Sequence, residues 1–66
     1  MKWRPKIHIL ESRDYEIKYD KSVGYYLFVY ENRKCIRDHL QESLLETLEF
    51  AKETYGIPIS SWVEIE

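Results

Sequence analysis

The stretch Gly24–Glu31, GYYLFVYE, decides how this chain folds. After the glycine come six apolar or aromatic residues in a row, and an extended strand sends alternate side chains to opposite faces. Tyr25, Leu27 and Val29 therefore share one face, and Tyr26, Phe28 and Tyr30 share the other. A chain of 66 residues can lay one helix across a sheet but hardly two. The aliphatic set suits a helix of leucines, which places Tyr25, Leu27 and Val29 inside. Tyr26, Phe28 and Tyr30 are then left facing outward.

The segments on either side supply the rest of a sheet. YEIKYD at 15–20 alternates cleanly, with Tyr15, Ile17 and Tyr19 opposite Glu16, Lys18 and Asp20. That pattern marks a half-buried antiparallel strand. KSVG turns the chain into the central stretch and NRK at 32–34 turns it out again. CIRDH at 35–39 reads as a short fourth strand, KIHILE at 6–11 as a first strand, and SRD at 12–14 as the turn between the first two. SWVEIE at 61–66 supports a last strand, with Val63 and Ile65 on one side and Trp62 on the other.

Between them lies one helix. In SLLETLEFAKETYGIP, Ser43 and Glu46 have the spacing of a capping box. Leu44, Leu48, Ala51 and Tyr55 fall on one helical stripe, with Glu46, Glu49 and Glu53 opposite and Phe50 at the boundary. Gly56 suits the left-handed residue after a helix, and Pro58 prevents its resumption. The order β-β-β-(β)-α-β predicts an α+β fold: an antiparallel sheet of three to five strands with one helix on one face. The whole of 1–66 reads as a single small domain. A domain this size buries only about 60% of its unfolded surface, so association is a natural route to added stability.

Composition narrows the function classes. Hydrophobic residues at 44% with charged residues at 33% describe a globular chain. Cys35 is the only cysteine, which excludes an intrachain disulfide and points to a cytoplasmic setting. The run after MKWRPK is too short and too polar for a signal peptide, and no segment approaches a membrane span. Residues 1–34 carry eight Lys/Arg against five Asp/Glu, and residues 35–66 carry two against seven. Neither half has the dense basic stripe that nucleic-acid binding requires.

Residues suited to catalysis are few. Cys35 and His39 invite a nucleophile–base pairing, yet on a strand they stand roughly 13 Å apart, far beyond hydrogen-bond reach. Cys35 reads instead as a small half-buried strand residue. One Cys and two His cannot make a four-ligand zinc site, and no glycine loop is present to cradle phosphate. The expectation is no enzyme, no metal and no cofactor.

Two stretches together, GYYLFVY leading to Cys35 and SLLETLEFAKE at 43–53, resemble the small antitoxin domain of HicB-type proteins. The matching positions are Gly24, Tyr25, Cys35, Ser43, Leu44, Glu46 and Leu48, over about half the chain. The family's Pro/Gly-rich turn is replaced here by ENRK, its helical alanine by Thr47, and no DNA-binding segment follows. The resemblance implies a shared architecture and a binding role toward another protein. The expected function is a non-catalytic interaction module, antitoxin-like in kind, that binds another protein or a second copy of itself. Tyr26, Phe28, Tyr30 and Trp3 are its expected contact residues; the other reading is that Trp3 or the C-terminal tail folds over the three rings and covers them. The alternative is a single-stranded nucleic-acid binder, with bases stacked on those rings and Lys2, Arg4 and Lys6 near the phosphates.

Overall fold

The computed structural model describes residues 1–6 and 13–66. Five strands form one antiparallel sheet: β1 (Lys2–Pro5), β2 (Arg13–Asp20), β3 (Gly24–Glu31), β4 (Lys34–Gln41) and β5 (Trp62–Glu64), in the order β4-β3-β2-β1-β5. The helix α1 (Leu44–Tyr55) packs across one face, giving the expected two-layer α+β fold. The expected first strand at 6–11 falls outside the described residues apart from Lys6. Arg13 and Asp14, read as a turn, already belong to β2.

The sheet is built from tight hairpins around β3. Asp20 pairs with Gly24, and the Asp20 carboxylate accepts from the Ser22 N–H at 2.8 Å inside the turn. Glu31 pairs with Lys34 across a two-residue turn in which Asn32 and Arg33 have φ of 52° and 68°. Positive φ at both central positions matches the right-handed twist of the flanking strands. The bulge between Val29 and Tyr30 spends one extra residue on β4: Val29 faces Arg37 while Tyr30 faces Cys35. This lets β4 run for eight residues, longer than the five its sequence suggested. Beyond β2, Trp3 pairs with Ile17 and Glu64, and Pro5 pairs with Trp62. Pro5 closes its strand after the β2 ladder has ended, where its missing N–H does no harm.

The helix begins where expected. Ser43 is extended, and its hydroxyl accepts from the Glu46 N–H at 3.1 Å. The returning bond from the Glu46 carboxylate is not formed among the described residues. At the other end Gly56, with φ of 73°, donates to the Lys52 carbonyl at 3.0 Å. That left-handed step carries Ile57 into full burial.

The expected stripe of Leu44, Leu48, Ala51 and Tyr55 does face the core, and Thr47 joins it. Thr47 and Ala51 are fully buried at its centre, while Leu44, Leu48, Phe50 and Tyr55 pack around them half-buried. Thr47 tolerates that position because its hydroxyl donates to the Ser43 carbonyl at 2.8 Å, so no polar atom is stranded. The core under the helix joins Trp3, Tyr15, Ile17, Leu27, Val29, Ala51 and Ile57.

Candidate interaction face

Strand alternation and the pairing register divide the sheet into a helix face and an open face. Leu27 and Val29 are fully buried beneath the helix and Tyr25 packs against the core, as the alternation predicted. Tyr26, Phe28 and Tyr30 stand on the open face, which no described helix covers. Tyr26 and Phe28 stack at 5.4 Å between ring centroids with planes 16° apart, and Phe28 meets Tyr30 at 6.4 Å. The three rings form one continuous column along β3.

Trp3 does not join them. It lies on the helix face, 8% exposed, with its ring 5.9 Å from Tyr25. Its parity with Ile17 across β1 and β2 sends the indole into the core, which corrects its expected place beside the aromatic column.

The neighbours of the column follow from the ladder. Across the row of Phe28 lie Asp38 on β4 and Glu16 on β2, then Arg4 on β1 and its partner Val63 on β5. Arg4 donates to the Glu16 carboxylate at 3.1 Å from its terminal nitrogen and 3.3 Å from Nε. Glu16 is recessed to 8% exposure, so this pair neutralises the carboxylate within the face. The next row carries Leu40, Tyr26, Lys18 and Lys2. Leu40 at 49% and Ile36 at 42% are among the most exposed large apolar residues. Burial raises the Tyr30 phenol above its ordinary 10.0, and the negative charge of Glu16, then Cys35, adds to the effect.

The groups considered for chemistry are not brought together. Cys35 is exposed rather than half-buried and pairs with Tyr30 on the open face. His39 pairs with Leu27 on the helix face, where its Nε2 lies 2.8 Å from the Tyr55 hydroxyl and its ring packs 4.6 Å from Phe50. The sheet stands between Cys35 and His39. Among the described residues there is no group of three His, Cys, Asp or Glu able to hold a metal ion, and no helix long and apolar enough to cross a membrane.

Sequence reasoning missed two features. The burial of Glu16 left no signal, because its partner Arg4 sits on a strand that the pattern of Lys2–Pro5 does not announce. Ile57 sits between the helix-ending Gly56 and Pro58, and its burial follows only from the direction the left-handed step imparts. Comparison with protein-family models, with curated proteins and with solved structures finds no match for this chain.

Proposed function

We propose that this chain is a small non-catalytic protein-interaction module that binds through the open face of its sheet. The observation that carries this reading is the column Tyr26, Phe28 and Tyr30: three contiguous rings, only half-buried, on a face that no described helix covers. At about 150–250 Å² of buriable area per ring, such a column reaches the size of patch that marks interaction sites. Exposed Leu40, opposite Tyr26, extends it toward β4. The similarity to HicB-type antitoxin domains makes antitoxin-like binding of a protein partner one form of this function. The lone exposed Cys35 suits a reducing, cytoplasmic setting.

The nucleic-acid reading is weaker on the charge around the rings. Phe28 has a carboxylate residue on each side, Asp38 and Glu16, and Arg4 is already tied to Glu16. Phosphates tracking past that row would meet anions before cations.

Phe28→Ser tests the reading. Light scattering should show loss of association, whether with a partner or with another copy, while the circular dichroism and monomer melting temperature stay near the wild-type values. A ring buried at an interface contributes a hot spot of about 2 kcal/mol or more, whereas a half-exposed ring adds far less to the fold. A Phe28→Ser chain that fails to fold would show that the column belongs to the core instead.

A further inference from the structure

We propose that the open face receives an arginine side chain of a partner protein, laid over the step between Phe28 and Tyr30 and held there by Asp14 and Asp38. The inference rests on the preceding reading of the face as an interaction surface and names the chemistry of what it binds. Two independent features, the tilt of the rings and the placement of charge, meet at that one step.

The three rings are not equivalent. Tyr26 and Phe28 lie nearly parallel, 16° apart with centroids at 5.4 Å, so they cover each other's faces. Phe28 and Tyr30 are 6.4 Å apart and tilted by 46°, which leaves ring face uncovered between them. The faces are the negative side of an aromatic ring and attract cations. A guanidinium, planar and weakly hydrated, stacks on them and still presents its N–H groups to carboxylates, which the compact lysine ammonium does less well.

The register sets a carboxylate on each side of the same step. Asp14 on β2 pairs with Tyr30, and Asp38 on β4 pairs with Phe28. Both are exposed, and among the described residues neither lies within ion-pair distance of a cationic side chain. Glu16 also flanks Phe28 but is already held by Arg4. Lys34 and Arg37 of β4 pair with Glu31 and Val29, which sends them to the helix face, and Lys18 stands one row away beside Tyr26. Asp14 and Asp38 straddle β3, about 10 Å apart across the strands and about 7 Å along them. A cation over the step then lies roughly 6 Å from each, a span that suits a broad organic cation and is too wide for one metal ion.

The test is a titration of the isotope-labelled full chain, followed by amide NMR, with a capped Gly-Arg-Gly tripeptide up to about 10 mM. Its lysine and citrulline counterparts are titrated beside it; citrulline keeps the shape of arginine and loses the charge. The expected result is saturable shifts centred on Asp14, Phe28, Tyr30 and Asp38, with citrulline binding about tenfold weaker and lysine in between. Asp14→Asn and Asp38→Asn should each weaken arginine binding about threefold and Phe28→Leu about tenfold, with circular dichroism unchanged. Lys18→Gln should not weaken it. Equal binding of the arginine and citrulline peptides overturns the inference. So do shifts centred on Glu46, Glu49 and Glu53 of the helix, binding indifferent to both asparagine substitutions, or no saturable shift at all. A chain that ignores the arginine peptide yet loses binding of a whole protein on Phe28→Ser would end the arginine proposal while leaving the interaction module standing. No arginine binding and no association lost on Phe28→Ser would end both.

Discussion

The two faces of the sheet are made by the same strands, yet they are built on different physics. On the helix face, Ile17, Leu27 and Val29 are fully buried against Ala51 and Ile57, and the apolar area removed from water there holds the domain together. One residue away along β3, Tyr26, Phe28 and Tyr30 remain half-buried beside an Arg4–Glu16 ion pair. Such rings cover neighbours and pair with one another without filling a core. The difference teaches that a continuous greasy run in a short chain need not mean burial on both sides. Alternation splits it into a half that folds the domain and a half that stays half-buried on the open face, the half we propose for association.

The sharpest way to break this comparison is to truncate neighbouring residues of β3. Leu27→Ala opens a cavity at the centre of the core and should cost about 2–5 kcal/mol in urea unfolding. At a concentration where the chain is monomeric, Phe28→Ala should cost well below that, within about 1 kcal/mol. Equal losses would mean that both faces are core.

Gly24→Ala comes next, because it strikes the junction of sheet and helix. Gly24 has φ of 124°, and a β-carbon there would overlap the Gln41 carbonyl oxygen where β4 leaves for α1. Backbone strain of this kind costs about 1–3 kcal/mol, to which the overlap adds. Gly56→Ala, with open space around it, should cost only about 1 kcal/mol from its left-handed backbone. Urea midpoints of the two variants rank them, and the reverse order would contradict the close approach of Gln41.

A smaller and opposite effect is expected at the hairpin tip that fixes the register of β3 and β4. A one-residue slip there would exchange the two faces. Arg33 holds φ of 68° at a position that glycine adopts without strain. Arg33→Gly should raise the unfolding free energy by up to about 1 kcal/mol and leave association untouched. A loss of stability would show that the Arg33 side chain has a role of its own.

The smallest effect concerns Tyr30. Its folded-state pKa lies above the unfolded value, so the folded chain holds the phenolic proton more tightly. The stability this gives is complete below about pH 10 and is lost as pH rises through the folded value. Tyr30→Phe should therefore flatten the alkaline fall of the urea midpoint, and an unchanged slope would place Tyr30 in an ordinary solvated setting.

Most of this architecture was legible in the sequence, for reasons tied to particular residues. The alternation of Tyr15–Asp20, the run Gly24–Glu31 and the signals Ser43 and Gly56 are local, so they declare a hairpin and a capped helix unaided. β1 was not legible: Lys2–Pro5 becomes a strand only because Trp3 meets Ile17 and Glu64 from distant parts of the chain. The exact inward stripe of α1 also depended on tertiary packing, since a buried Thr47 is acceptable only once its hydroxyl reaches Ser43. The same long-range pairing decided the surroundings of the aromatic column. Its three rings could be read from alternation, but Asp38, Glu16 and Arg4 reach its row only through the register of four strands.

The most direct measurement of the central claim is the dependence of the urea midpoint on protein concentration, for wild type and Phe28→Ser side by side. Binding that requires the folded state stabilises it by mass action, so an associating chain gains stability as it is concentrated. The account predicts that any rise of the wild-type midpoint with concentration is lost in Phe28→Ser, and that the two midpoints converge on dilution. A Phe28→Ser unfolding free energy several kcal/mol below that of wild type at every concentration would contradict it.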